Sequence, residues 1–375
     1  MALDLEPHAV EAERRYPNIG IYSFGRGTFA KPPIEAATTS ASTLYRIRAG
    51  QVIYSRLFAF EGAYASVPAH QDGMFVSNEF PTFTVDGSQA DPAYVAWLFR
   101  WRETWRALRQ GAVGMGDRRQ RVHPDRILAH QIVLPPLVKQ SRIVERLNAL
   151  AVGTERASQL VREIDEDLLQ AARNIIWQAG NRPDAWTPCA AFLHQRPFDV
   201  RVEAETDYGF AGVYSFGRGV FRSEVKTGST FSYPSLTKIH TGDFVYPKLM
   251  AWEGALGVVP ADCNGLVVSP EFPVFEIDTT VVKDLVVDTF FRDPRTLPML
   301  RSASNGTNMR RRRIPPARFL ELKMPIPSHE EQTLILDLLG RRSDVVIRHR
   351  ESLDGLNALL PAMLHEAFGD SAPTT

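Results

Sequence analysis

The chain has 375 residues, more than one ordinary domain needs and enough for two. With 44% apolar and 23% charged residues it reads as a globular protein with cores to bury, and no stretch nears the roughly 20 uncharged apolar residues that cross a bilayer. Formal net charge is zero, which argues against gripping nucleic acid by total charge alone, so the distribution of charge must carry any such reading.

Residues 1–16 alternate charged with small side chains and do not read as a secretory signal. Cys189 and Cys263 are too few for a disulfide framework or a cysteine-rich zinc site, so a reducing cytoplasm is the expected location.

The chain is written twice. GIYSFGRGTF at 20–29 returns as GVYSFGRGVF at 212–221, AFEGA at 59–63 as AWEGA at 251–255, and VSNEFPTF at 76–83 as VSPEFPVF at 268–275. Each pair is offset by about 192 residues, and about 30 of roughly 67 positions match without a gap over 20–86. The register continues through Gly114 and Gly306, Arg118 and Arg310, Pro135 and Pro327, and Gln140 and Gln332. Loops drift in length, so an ungapped duplication implies one fold used twice. The interval is too long for a solenoid repeat, and each copy is a whole module.

The first part of each copy reads as β-rich. Val52, Ile53 and Tyr54, like Phe244, Val245 and Tyr246, form short β-branched and aromatic runs behind a glycine-containing turn. Residues 83–85 and 275–277 read as a further strand. Asp91 then N-caps a helix with Pro92 in its first turn and Tyr94, Leu98, Trp101 and Trp105 along one face. A glycine-rich stretch at 111–116 leads into a basic run. Behind Leu134, Pro135, Pro136 and Leu137 a long helix is expected. Its apolar positions Ile143, Leu147, Leu150, Ala157, Leu160, Ile164, Leu168 and Ile175 make a seam about 40 residues long. The second copy repeats the seam with Ile335, Leu338, Val346, Leu353, Leu356, Leu360 and Leu364, and a kink is expected near Pro361.

A one-faced apolar helix of that length needs a partner, and two in one chain can supply each other. The expected fold class is α+β: two mixed α/β modules in tandem repeat, joined by two long antiparallel coiled-coil helices with pseudo-two-fold symmetry. The expected boundaries are a first module at 1–136, a helix at 137–180, a second module at 181–327, a helix at 328–368 and a disordered tail at 369–375. Packing of each helix on its own module is the alternative.

This plan resembles the specificity subunits of Type I restriction–modification systems, with two target-recognition domains separated and followed by long helices. The most specific marker is the start of each helix: IVLPPL at 132–137 with Gln140, Arg142 and Ile143, then MPIP at 324–327 with Glu331, Gln332 and Ile335. The resemblance covers roughly residues 10–368. Residues 186–200 have little counterpart ahead of the first module, and LPPLVKQ lacks the acidic residue usual beside the glutamine. The resemblance implies a non-catalytic subunit that binds double-stranded DNA and recruits two modification (methyltransferase) subunits and restriction (translocase and nuclease) subunits. It implies no cofactor on this chain, with S-adenosylmethionine, ATP and Mg expected on the partners. No membrane partner is expected.

The leading DNA-binding candidates are Arg118, Arg119 and Arg121 in the first copy and Arg310, Arg311, Arg312 and Arg313 in the second, because guanidinium groups bind phosphate bidentately and read guanine edges. The bland reading is a solvated basic turn. Arg26 and Arg218, in the repeated SFGRG, either reach toward a ligand or brace a tight strand connection. Arg56 after Tyr54, and Lys248 after Tyr246, place a basic residue two positions from an aromatic, as on one strand face. Arg56, Tyr246 and Lys248 are therefore candidates for DNA contact, against a solvent-facing strand. Glu61 and Glu253 read as structural partners before they read as acceptors for cytosine, and Phe60 and Trp252 read as core.

Enzymatic readings are weak. FGRG is too short for a cofactor loop, and the DPAY at 91–94 has no aligned counterpart at 283–286. No phosphate-loop, metal-spaced histidine pair or nucleophile-elbow pattern stands out, and a duplicated enzyme should duplicate its catalytic groups. Two similar modules are expected to prefer related half-sites, read on opposite strands around a spacer of roughly six to eight base pairs. A scaffolding protein that binds only proteins through its long helices is the alternative function.

Overall fold

The computed structural model describes residues 1–109, 121–306 and 312–369. They form two compact units, one of Met1–Ser158 with Arg350–Thr375 and one of Gln159–His349. Each unit therefore contains a sheet-rich part and a portion of both long helices.

In the first unit a four-stranded antiparallel sheet runs in the order Ala2–Leu3, Thr82–Thr84, Val52–Tyr54, Tyr64–Ser66. A five-stranded sheet runs in the order Glu6–Ala9, Thr43–Arg46, Phe75–Val76, Arg15–Ile21, Thr28–Glu35, with one parallel pairing between Arg15–Ile21 and Phe75–Val76. Strand periodicity explains how the two layers join. Val52 and Tyr54 point into one cluster with Tyr64, Phe83, Phe99 and Trp105, while Ile53 between them joins Ile19, Ile47 and Val76. Both faces of the smaller sheet are thus buried, which is why the run Val-Ile-Tyr is continuously apolar.

The second unit repeats this topology. Its four-stranded sheet is ordered Leu193–Gln195, Val274–Ile277, Phe244–Val245, Gly257–Val258. Its five-stranded sheet is ordered Val200–Arg201, Ser235–Lys238, Val267–Val268, Asp207–Tyr214, Gly219–Thr227. Phe244 and Tyr246 enter one cluster and Val245 the other, reproducing the alternation at Val52, Ile53 and Tyr54. An additional pair, Trp186–Pro188 with Lys323–Pro325, has no counterpart among the described residues of the first unit.

Asp91 caps its helix as expected, its Oδ1 accepting the Ala93 N–H at 2.8 Å. The helix is shorter than its apolar spacing suggests: Pro92–Leu98 ends and Arg102–Arg109 begins anew. The side chains of Thr104 and Trp105 bond back to the Leu98 and Phe99 carbonyls across that break.

The long helices span Leu137–Ala179 and His329–Phe368. In the first unit Val144 and Leu147 of one helix and Leu364 and Phe368 of the other share a cluster with Tyr94, Trp97 and Trp101. In the second unit Ala172, Ile176 and Ile335 join the core that contains Phe290 and Phe291. There Arg342 meets Asp165 at 2.8 Å and Arg182 holds Glu331 with two nitrogens at 3.0 and 2.9 Å, an antiparallel order. The seam expected from sequence is buried only in part. Leu160, Ile164 and Val346 stay 41%, 43% and 44% exposed, because the apolar partners of each helix come largely from the short helices of the sheet-rich part. The second helix runs through Pro361 without ending, since a proline removes one backbone bond while the flanking Leu360, Met363 and Leu364 remain packed. The tail at 370–375 lies outside the described residues.

Candidate nucleic-acid interface

The repeated SFGRG forms the connection between the two long strands of each five-stranded sheet. In the first unit Tyr22 N–H donates to Gly27 O at 2.9 Å, closing the turn. Phe24, Gly25 and Gly27 have φ of 65°, 65° and 90°, and Phe216, Gly217 and Gly219 repeat them at 62°, 64° and 86°. Glycine is required at Gly217 for a second reason: a Cβ there would lie 2.7 Å from the Arg292 carbonyl oxygen.

The turn is fastened to the repeated EGA segment. Phe24 N–H donates to Glu61 O at 2.7 Å and Gly25 N–H to Gly62 O at 2.8 Å; Phe216 and Gly217 do the same with Glu253 and Gly254, both at 2.9 Å. Ser23 Oγ donates to Glu61 Oε2 at 3.0 Å, which supports the structural reading of this glutamate. Arg26 and Arg218 are exposed. Each Nε donates to the serine carbonyl three residues earlier, at 3.0 and 3.2 Å, and each guanidinium lies over a tyrosine ring, 4.9 Å from Tyr22 and 4.6 Å from Tyr214. Tyr214 in turn stacks on Phe221 at 3.9 Å. The remaining guanidinium nitrogens are free to meet a ligand, while the ring contact holds the plane.

A second feature adjoins this turn. Arg56 N–H donates to Glu79 O and Arg56 O accepts Val122 N–H, so the loop carrying Arg56 is stitched to the end of the basic run. Arg121 Nε reaches Glu79 Oε2 at 3.0 Å. The second unit matches it: Lys248 N–H to Glu271 O, Ile314 N–H to Lys248 O, and Arg313 to Glu271 at 3.2 Å. Sequence reading found the arginines and missed their shared glutamate, although Glu79 and Glu271 stand at matching places in the repeated EFP. Lys248 Nζ is committed to the Pro270 carbonyl at 2.8 Å. Arg56 is half-buried and its Nε makes no hydrogen bond. Arg312 is half-buried beside Arg313, and Arg118, Arg119, Arg310 and Arg311 lie outside the described residues.

Tyr246 corrects the sequence expectation. It is fully buried, its ring stacks on Phe319 at 4.6 Å, and its hydroxyl reaches the Ile314 carbonyl at 3.4 Å. Burial pushes its phenol far above the usual tyrosine range. Strand Phe244–Val245 has ended by that point and Pro247 follows, so the two-residue step to Lys248 does not preserve a face. Tyr246 positions the basic segment from beneath. Tyr54 does the same at Val122, at 2.9 Å.

Sequence reading also passed over Arg100 and Arg292, which occupy equivalent positions just past the end of a short helix in each unit. Arg292 is neutralised: its Nε donates to Gly217 O at 2.7 Å and its Nη1 meets Asp288 at 2.7 Å. Alanine stands at the matching position 96 in the first unit. Arg100 there lies over the Trp97 ring at 4.1 Å, with no carboxylate partner among the described residues, and burial lowers its pKa.

Among the described residues no group of three histidine, cysteine or carboxylate side chains could hold a metal ion, and no helix is long and apolar enough to cross a membrane. No protein-family model and no curated protein matches the chain. Solved structures do. The HsdS subunit from Thermoanaerobacter tengcongensis aligns with 98% of this chain and 94% of its own, at 18% identity and a TM-score of 0.51. A chain from the structure described as the basis of complex assembly and conformational transition of the type I R-M system aligns over 98% and 99%, at 15% identity and a TM-score of 0.57. The chain therefore has the fold of Type I restriction–modification specificity subunits over nearly its whole length.

Proposed function

We propose that this chain is the DNA-specificity subunit of a Type I restriction–modification complex, with each unit reading one half of a bipartite target. The observation that carries the reading is the duplication of an arginine-bearing turn, with its EGA support and adjoining basic segment, on a fold shared end to end with such subunits. Exposed Arg26 and Arg218 are suited to phosphate or guanine contact, and Arg121 and Arg313 exchange a glutamate for phosphate at modest cost because both ion pairs are exposed.

The chain supplies no chemistry in this reading. S-adenosylmethionine, ATP and Mg belong to the modification and restriction subunits, and the complex works in the cytoplasm. Leu160, Ile164 and Val346 offer an apolar stripe on the long helices against which modification subunits dock.

Methylome sequencing of the host with and without the gene tests the proposal. Loss of adenine methylation at one bipartite motif is the expected result. An unchanged methylome removes the reading and leaves protein scaffolding in its place.

A further inference from the structure

Two largely exposed phenylalanines belong to none of the buried apolar clusters of their units. Phe24 and Phe216 are 65% and 72% exposed and sit at φ of 65° and 62°, a backbone conformation that disfavours every residue except glycine. A ring so largely exposed buries little to offset that. SFGRG is nonetheless identical in both copies, while positions close by differ, Thr28 against Val220 and Ala30 against Arg222.

The surroundings indicate what the ring is for. The backbone of each phenylalanine is tied to the EGA segment, so the ring stands on a rigid support. Beside it lies a tyrosine, 42% exposed at Tyr22 and 43% at Tyr214, overlain by the guanidinium of Arg26 or Arg218. The same EGA loop carries Arg56 or Lys248 and is bonded to the end of the basic run, so basic side chains, set among the carboxylates of Glu61, Glu79 and Glu271, flank the ring and can meet phosphate. Apolar rings set among arginines are how proteins part the stack of a duplex: the ring enters a base step, and flat tyrosine and guanidinium faces receive what is unstacked.

Resting on the DNA-reading function above, we propose that Phe24 and Phe216 are wedges, each entering one base step of its half-site, with Arg26 and Arg218 holding the adjacent backbone. The step entered is the one that unstacks at least cost, so each half-site contains a pyrimidine–purine step at the wedge position, selected through deformability rather than base-edge contact.

The test uses the full-length chain and a duplex bearing its target, with 2-aminopurine at successive positions to report unstacking. Wild type is expected to raise fluorescence at one step in each half-site. Phe24→Gly abolishes the rise in one half-site and Phe216→Gly in the other, each weakening binding about tenfold. Glycine adopts the required φ freely, so these variants melt no lower than wild type and their failure cannot be ascribed to misfolding. If both variants keep the fluorescence and the affinity, the wedges are refuted while sequence-specific binding by wild type leaves the DNA reading intact. If they bind DNA normally but no longer retain the modification subunit, the rings are protein contacts and the proposal falls. If wild type shows no sequence-specific binding, the reading beneath it fails as well.

Discussion

Gln140 and Gln332 make the same set of hydrogen bonds in the two units. Gln140 Oε1 accepts the Asp91 N–H at 2.8 Å while its Nε2 donates to Pro135 O at 2.7 Å and Gln89 O at 3.4 Å. Gln332 accepts from Lys283 N–H at 2.9 Å and donates to Pro327 O at 3.0 Å and Val281 O at 3.2 Å. Both side chains are buried. Each sits in the first turn of a long helix and locks that helix to the loop where a short helix begins.

Replacing Gln332 by alanine strands one donor and two acceptors in a buried place, so a loss of about 2–3 kcal/mol is expected. Gln332→Glu is expected to be as harmful, because a carboxylate has no hydrogen to give Pro327 and Val281. Denaturant melts of wild type and both variants check this; a shift under about 0.5 kcal/mol defeats it.

Asp293 should make the second unit sensitive to acid. Burial raises the pKa of Asp293, but hydrogen bonds from Arg295 and Trp177 and the nearby Arg173 outweigh it, leaving the carboxyl below its usual value. A depressed folded pKa means the contribution is present above about pH 4, the unfolded value, and is lost as pH falls through the folded one. Asp293→Asn is expected to melt lower at pH 7 and to show a shallower acid decline than wild type. The measurement is thermal unfolding between pH 2 and 7, and parallel acid limbs would contradict the expectation.

The two EGA glycines, although equivalent, should respond unequally to alanine. Both have positive φ, 75° at Gly62 and 77° at Gly254. A Cβ at Gly62 would overlap the Trp105 ring, whereas at Gly254 the nearest atom is a Leu297 methyl at 3.2 Å. Gly254→Ala carries mainly the backbone penalty, about 1 kcal/mol, and Gly62→Ala adds displacement of a buried tryptophan for about 3 kcal/mol or more. Equal losses would show that Trp105 moves aside freely.

Replacing Arg121 or Arg313 with alanine is expected to lower the slope of log binding constant against log salt by about one unit for each phosphate the variant no longer neutralises. Fluorescence anisotropy on duplex DNA across a salt series reads this, and an unchanged slope in a folded variant takes that arginine out of the interface. Leu160→Glu with Ile164→Glu, on an exposed stripe, should leave the melting temperature within a few degrees while abolishing co-purification of the modification subunit.

What the sequence revealed is what periodicity and duplication encode. The ungapped repeat fixes two copies of one topology, and the pattern at Val52, Ile53 and Tyr54 matches a strand buried on both faces. The proline-flanked starts at Leu137 and His329 mark the long helices to the residue or nearly so. Tyr246 was misleading because a strand's end is a matter of local hydrogen bonding that Pro247 only hints at. The seam's apolar spacing states that a face needs cover, without stating where cover runs out, which is why Leu160, Ile164 and Val346 are not foreseen as exposed. Phe24, Phe216, Arg100 and Arg292 were within reach: each is identical in both copies, and an apolar residue between serine and glycine at a strand connection has no core to serve.

The borders of the compact units do not coincide with the border of the repeat. The first takes in the end of the second long helix, from Arg350 on, and the second begins at Gln159, inside the first long helix. A gene cut between its two copies would therefore yield halves each lacking a helical piece that packs within its own unit. Grafting a foreign reading head onto this protein works best where Gln140 and Gln332 clamp the sheet-rich part, leaving both helices native.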